Sequence, residues 1–248
     1  MLTHKYGLIG YPLSHSFSPA YFTEKFLRAG LTDYSYEAYP IASIKQLTDL
    51  LQQHKDLQGL NVTIPYKKSV IPFLHAKTEA VTKMSACNCI KIKDGQLTGY
   101  NTDVTGFEKS LFPLLSATHK KALILGTGGA AAAVEFVLEK LGIEFLFVSR
   151  KQSESNQVIE YKNISEDILS DYTLIINTTP LGMYPEVDNC PDLPYKFIKP
   201  NHYLFDLVYN PAETLFLKKG AEQGAAIKNG SDMLIIQAEE SWRIWNES

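Results

Sequence analysis

Six residues, Gly126-Thr127-Gly128-Gly129-Ala130-Ala131, stand between the apolar run Ala122–Leu125 and the helix-forming stretch Ala131–Leu141. A strand, a glycine turn and a helix start in that order predict a pyrophosphate site. Glycines lack the Cβ that would bar close approach, and the helix start offers free backbone N–H groups and a positive dipole end. A tight turn that only packs helix on strand is the alternative. The next apolar run, Phe145–Val148, ends in Ser149-Arg150-Lys151. An NAD site would place an Asp or Glu about 20 residues after the glycines to accept from the ribose hydroxyls. Here Arg150 can stack on an adenine and pair with a 2′-phosphate, and Lys151 adds charge. NADP is therefore the expected cofactor, against the alternative of a solvated strand end.

The first half of the chain carries a second set of polar residues. Ser14-His15-Ser16-Phe17-Ser18-Pro19 offers three hydroxyls before a proline; Ser18 is the expected helix cap, which leaves Ser14 and Ser16 over for a carboxylate ligand. In Asn61-Val62-Thr63-Ile64-Pro65-Tyr66-Lys67, period-two alternation puts Asn61 and Thr63 on one face and predicts Val62 and Ile64 in the core. Lys67 is expected at the start of the next helix, where a cation opposes the dipole and so does not serve helix stability. Asn88 is a polar side chain within an apolar run, and Asp103 follows Asn101-Thr102 at a helix start, where N-capping is the ordinary role. A lysine, a carboxylate, two asparagines, a threonine and two serines, without a cluster of metal ligands, suit a small polyhydroxylated acid.

Short β-rich runs and amphipathic stretches position these residues. Strands are expected at Tyr6–Ile9, Tyr34–Tyr39, Gly59–Thr63, Cys87–Ile92 and Gln96–Thr98, the last two joined by the hairpin signal Asp94-Gly95. Helices are expected from Ser18 through Phe22, Phe26 and Leu27, over Ile44–Leu51, around Lys67–Leu74 and over Glu79–Lys83. A linking helix, Asp103–Leu115, leads to a βαβ unit that restarts at Lys121, with later strands at Leu174–Ile176, Tyr203–Asp206 and Ala225–Ile227. An amphipathic helix, Ser231–Trp245, closes the chain with Leu234, Ala238, Trp242 and Trp245 along one stripe. The fold class expected is α/β, in two units.

Composition narrows the function. The 248 residues are 45% hydrophobic and 21% charged, in the range of globular proteins. A net charge of -3 gives no basic face for nucleic acid. No apolar run approaches the ~20 residues that span a bilayer, and the first residues show no secretory signal. Cys87, Cys89 and Cys190 are too few and too scattered for a disulfide framework or a zinc site, and read as small buried hydrophobes. A cytoplasmic protein with a small-molecule substrate, no metal, no nucleic-acid partner and no membrane partner is expected, as a monomer or homodimer.

Seven ordered segments resemble the shikimate dehydrogenase family across nearly the whole chain: Gly10–Pro19, Asn61–Lys67, Asn101–Asp103, Gly126–Ala130, Asn177–Met183, Asp206–Pro211 and Gly230–Gln237. The resemblance implies an N-terminal substrate domain, residues 1–103 completed by the helix at 231–248, a Rossmann-like NADP-binding domain, residues 104–230, and an active-site cleft between them. It implies reversible NADPH-dependent reduction of 3-dehydroshikimate to shikimate, in chorismate and aromatic amino acid biosynthesis. Lys67 and Asp103 would form the catalytic pair. Ser14 and Ser16 would bind the substrate carboxylate with Tyr209 nearby; Thr63, Asn88, Asp103 and Gln237 would meet the ring hydroxyls, and Asn61 would shape the pocket. Gly126, Gly128, Gly129 and Ala130 would hold the pyrophosphate, Ser149 and Arg150 the 2′-phosphate, with Thr179 and Met183 along the cofactor and Gly230 near the nicotinamide. Two departures stand out: Cys87-Asn88-Cys89 replaces the usual Val-Asn-Thr, and Ser149-Arg150-Lys151 the usual Asn-Arg-Thr. A quinate/shikimate dehydrogenase of broader specificity and a non-catalytic NADP or shikimate sensor remain open alternatives.

Overall fold

A computed structural model describes residues 4–14, 16–151 and 155–247; His15 of the first motif lies outside them. The chain divides into two compact units, one of residues 1–102 and 238–248, the other of residues 103–237.

In the first unit β1 (His4–Gly10), α1 (Phe17–Arg28), β2 (Tyr34–Pro40), α2 (Leu47–Gln53) and β3 (Leu57–Val62) form a parallel βαβαβ arrangement with β1 in the centre. The sheet continues with β4 (Ala76–Lys77), β5 (Cys89–Lys93) and β6 (Gln96–Tyr100) in the order β2-β1-β3-β5-β6-β4, with α3 (Glu79–Met84) between β4 and β5. The β5–β6 hairpin turns on Asp94 and Gly95, both at positive φ (53° and 75°), the backbone that a two-residue turn of this hand requires. One face of the sheet buries Leu47, Leu60, Val70, Val81 and Ile90. The other buries Tyr6, Phe22, Tyr36 and Trp245 in a stacked aromatic cluster, with Tyr6 and Trp245 centroids 4.7 Å apart.

In the second unit α4 (Thr102–Leu111) enters from residue 103 onward. It is followed by β7 (Lys121–Leu125), α5 (Ala131–Leu141), β8 (Glu144–Ser149), β9 (Val158–Glu160), α6 (Glu166–Asp171) and β10 (Leu174–Asn177). The unit ends with β11 (Tyr203–Asp206), α7 (Leu215–Glu222), β12 (Ala226–Lys228) and α8 (Ser231–Asn246), whose last turns belong to the first unit. All six strands are parallel, in the order β12-β11-β10-β7-β8-β9. That is the doubly wound order, with the winding reversing between β7 and β10, so its carboxyl ends open a crevice there. The parallel core strands are apolar throughout, as burial on both faces demands: Leu123, Leu125, Ile175 and Leu204 are fully buried. Among the described residues no helix is long and apolar enough to cross a membrane.

Four local expectations are corrected. Ser16, not Ser18, occupies the N-cap position of α1. Leu27 turns outward from α1, 81% exposed, because it lies one residue past the buried face set by Phe22 and Phe26. Ile64 is 73% exposed: β3 ends at Val62, and strand alternation does not carry through the turn at Ile64-Pro65. Residues 67–74 form turns and a short 3₁₀ helix at Ile71–Phe73 rather than a helix beginning at Lys67.

A Cβ on Gly59 would lie 2.6 Å from Cε2 of Trp245, whose indole donates to Ile90 O at 3.0 Å. Gly59→Ala therefore displaces the end of α8 from the first sheet and should cost about 1–3 kcal/mol of stability, read from urea unfolding.

Candidate active site

Two parallel strands of the first unit deliver its polar residues to one place. β1 and β3 are neighbours, with Ile9 opposite Val62, and both feed loops at their carboxyl ends. Those loops are sewn together: Thr63 N donates to Ile9 O at 2.9 Å and Tyr11 N to Ile64 O at 3.0 Å. Gly10 makes the close passage possible, since a Cβ there would stand 2.7 Å from Leu13 and 3.0 Å from Ile64 O. Lys67 is anchored by its carbonyl, which accepts from Cys87 N at 2.7 Å, and its side chain is half-buried. Ser14, Ser16, Thr63 and Lys67 thus share the carboxyl end of this sheet. Ser14 is exposed, and the Ser16 side chain makes no capping bond to α1.

Asn61 and Asn88 are buried behind them. Asn61 Oδ1 accepts from the Tyr36 hydroxyl at 2.8 Å, and its Nδ2 donates to Ser241 Oγ at 2.9 Å and Asn88 O at 3.2 Å. Asn88 Oδ1 accepts from Thr102 N at 2.7 Å and Nδ2 donates to Thr102 Oγ1 at 3.1 Å. The expected capping role at this helix start therefore falls to Asn88, which satisfies the first N–H of α4; Asp103 is the next residue, in the first turn. Tyr36 and Ser241 lie in no motif, and Thr102 lies within Asn101–Asp103 without a role of its own in the sequence; only the folded sheet brings out their part. Burial pushes the Cys87 thiol up to about 11 and Cys89 higher still, in keeping with inert, hydrophobe-like cysteines.

Within the second unit Gln237 lies on α8 where that helix crosses α4 at Gly106. A Cβ on Gly106 would meet Met233 O at 2.8 Å and Gln237 Cβ at 3.1 Å, so the crossing needs glycine. Asp103 and Gln237 are thereby carried on adjoining helices, both half-buried.

The glycine turn sits after β7 at the reversal of the sheet. Gly126 is at φ 101°, and a Cβ there would meet Thr179 Cγ2 at 2.9 Å and Thr178 Oγ1 at 3.1 Å from the neighbouring β10 loop. Gly128, Gly129 and Ala130 are exposed, and nothing lies within 4 Å of a Cβ built on either of those glycines. No side chain caps α5, whose N-cap is Ala130. An uncovered glycine turn leading into an uncapped 11-residue helix at the switch point fits a dinucleotide pyrophosphate. Arg150 is exposed directly after β8, and Ser149 Oγ accepts from Lys151 N at 3.2 Å, holding the turn that presents the arginine. β9, absent from the sequence reading, sets Glu160 opposite Ser149; its carboxylate is paired with Lys162 at 3.1 Å.

Met183 and Tyr209 are exposed on the loops after β10 and β11. Gly230 precedes α8, and a Cβ there would lie 2.8 Å from the Leu207 carbonyl carbon, so the site of Gly230 is fixed by backbone approach. Beneath these loops lies a residue to which the sequence assigned no role. Asp206 is fully buried, and its carboxylate accepts from Thr214 Oγ1 at 2.5 Å, Asn177 Nδ2 at 2.9 Å and Val208 N at 3.0 Å. Its signal was available: Asn177 and Asp206 each end an apolar run, and the parallel register pairs them. Among the described residues no group of three His, Cys, Asp or Glu side chains could hold a metal ion.

Burial, against these three donors, raises the Asp206 carboxyl to about 6. An unfolded aspartate titrates near 3.9, so between about pH 4 and 6 the folded chain binds the extra proton. Stability should fall as pH rises through that window and stay reduced above it. Relative to Asp206→Asn, the wild type should lose about 3 kcal/mol between pH 4 and 7, measured by urea unfolding across the range.

Residues 8–90 match the model of the shikimate dehydrogenase substrate-binding domain. The chain is 35% identical over 256 residues to a shikimate dehydrogenase (NADP(+)) of Methanosphaera stadtmanae, spanning 96% of this chain and 90% of the relative. Its fold superposes at a TM-score of 0.90 and 28% identity on a shikimate 5-dehydrogenase from Listeria monocytogenes in complex with shikimate and NAD, over 99% of this chain and 92% of that one. It also superposes at 0.87 and 26% identity on a quinate dehydrogenase from Corynebacterium glutamicum in complex with NAD, over 98% of this chain and 94% of that one. With the strand-end polar residues, the doubly wound sheet and this extent of identity together, the chain belongs to the shikimate dehydrogenase family.

Proposed function

We propose that the chain is an NADP-dependent oxidoreductase that interconverts 3-dehydroshikimate and shikimate, with Lys67 and Asp103 as its catalytic pair. The observation that supports this reading is that the loops after β1 and β3, which carry Ser14, Ser16, Thr63 and Lys67, are bound to one another by backbone hydrogen bonds. Hydroxyls and one cation suit a carboxylated ring bearing hydroxyl groups. Ser14 and Ser16 donate to the carboxylate, with Tyr209 assisting. Thr63, Asn88 and Gln237 read the ring hydroxyls, and Asn61 keeps that wall in place.

The reduction gives a carbonyl oxygen a proton as it becomes a hydroxyl. The Lys67 ammonium donates that proton and offsets the developing negative charge; in the reverse direction it takes the proton back. Asp103 orients the ammonium and the reacting hydroxyl. The bound nicotinamide supplies or receives the hydride. Gly126, whose own N–H donates to Val148 O, lets the pyrophosphate approach, and Gly128, Gly129 and Ala130 offer it backbone N–H groups; Ser149 and Arg150 bind the 2′-phosphate, and Thr179, Met183 and Gly230 border the rest. A quinate dehydrogenase is the second reading, favoured by the superposition on such an enzyme.

Absorbance at 340 nm, followed with shikimate or quinate and with NADP or NAD, separates these readings. Turnover with shikimate and NADP is expected, and Arg150→Ala should raise KM for NADP at least tenfold while leaving KM for NAD nearly unchanged. Preference for quinate and NAD would replace the assignment. Lys67→Ala should lower kcat about 100-fold or more with a smaller change in KM; an unchanged kcat would remove Lys67 from proton transfer.

A further inference from the structure

Asp206, Asn177 and Thr179 form a chain of hydrogen bonds in which each link fixes the direction of the next. An ionised carboxylate only accepts, so Asn177 must turn its Nδ2 toward Asp206, at 2.9 Å. That orientation leaves Asn177 Oδ1 facing Thr179, and it accepts from Thr179 N at 3.0 Å and from Thr179 Oγ1 at 2.6 Å. The one hydroxyl hydrogen of Thr179 is thereby spent inward. Only lone pairs remain on Oγ1, one of them shared with Leu181 N at 3.4 Å. Thr179 stands against the glycine turn, with its methyl 2.9 Å from a Cβ built on Gly126.

From this chain we propose that Asp206 is a positioning residue for the cofactor: through Asn177 it makes the Thr179 hydroxyl a hydrogen-bond acceptor, selecting a hydroxyl or amide N–H donor of the dinucleotide. The inference rests on the reading of Thr179 as a cofactor neighbour. Asn177 and Asp206 are both fully buried, so they act on a cofactor only through Thr179. Thr214 caps α7 with the same oxygen that donates to Asp206, Leu217 N reaching it at 3.4 Å, so the acceptor is clamped from the far side too. Val208 N, donating to the same carboxylate, ties the start of the Tyr209 loop to this clamp.

The test is a double-mutant cycle at pH 8, where Asp206 is ionised. Thr179→Val keeps the shape and removes the hydroxyl. It should raise KM for NADP about tenfold, the loss of one hydrogen bond, with KM for shikimate changed less than twofold. Asp206→Ala should raise KM for NADP by a similar factor, and the double variant should be no worse than either single one. Asp206→Asn keeps the direction of the chain, because its amide oxygen still accepts from Asn177 Nδ2 and Val208 N while its Nδ2 faces Thr214 Oγ1. It should leave KM for NADP within about threefold of wild type. Asn177→Ala removes the acceptor that fixes the Thr179 hydroxyl, should raise KM for NADP about tenfold, and serves if Asp206→Ala fails to fold. Additive effects in the cycle, an Asp206→Asn variant as impaired as Asp206→Ala, or an unchanged KM in Asn177→Ala would overturn the proposal while leaving Thr179 beside the cofactor. No effect of Thr179→Val on KM for NADP would overturn both the proposal and the Thr179 reading, and turnover of shikimate with NADP by the wild type would still stand.

Discussion

Parallel strands that carry loops must stop, and in this protein two of them stop on a buried polar side chain while a third carries one a single residue before its end. Asn61 near the end of β3, Asn177 at the end of β10 and Asp206 at the end of β11 all lie under the loops they precede. An amide or carboxylate removed from water costs several times what its hydrogen bonds return unless every bond is made. Asn61 requires Tyr36 of β2 and Ser241 of α8 at set positions, which ties strand to helix. Asn177 and Asp206 are satisfied by the loops they precede, Asn177 through Thr179 and Asp206 through Val208 and Thr214. These two strand-end side chains therefore convert a sheet register into loop geometry.

The same constraint separates what the sequence made legible from what it concealed. α5 and its glycine turn, β11 and the Asp94-Gly95 hairpin announce themselves locally, because strand period, helix start and turn chemistry are written in consecutive residues. In the segment after β3 the chain turns after Val62, so period-two alternation no longer assigns faces; Ile64 has no core to enter, and Lys67 lies on no helix. β9, α6 and α7 span 3, 6 and 8 residues, and such short elements are found from sequence only where turn residues or an apolar run mark them, as at β11 and β12. The buried partners Tyr36, Thr102, Ser241 and Thr214 are ordinary residues whose significance is a matter of which strand lies beside which.

Cofactor choice shows how little of the outcome belongs to the fold itself. A doubly wound sheet with a glycine turn offers any dinucleotide the same pyrophosphate site, and the discriminating groups stand one strand away. Here Ser149 Oγ closes the turn that carries Arg150 outward, while Glu160 across the register is held by Lys162. Lys162 offsets that carboxylate charge beside the presented arginine. The neutralisation is worth little to stability at an exposed site. Its effect is on the local potential that a phosphate would meet.

Substrate recognition follows a different physical rule. At the ends of β1 and β3 the groups proposed to discriminate are hydroxyls and one ammonium on loops bound to one another by Thr63 N and Tyr11 N, with the Lys67 carbonyl held by Cys87 N. A site built from fixed donors rejects a ligand that leaves them unpaired far more strongly than an apolar pocket rejects a missing methylene. Asn88 sharpens this, since its amide is already committed to Thr102 at both ends and cannot rotate to suit a different ring without uncapping α4. A reorientation of its amide would break both bonds to Thr102, so the same asparagine that is proposed to read a ring hydroxyl also begins α4.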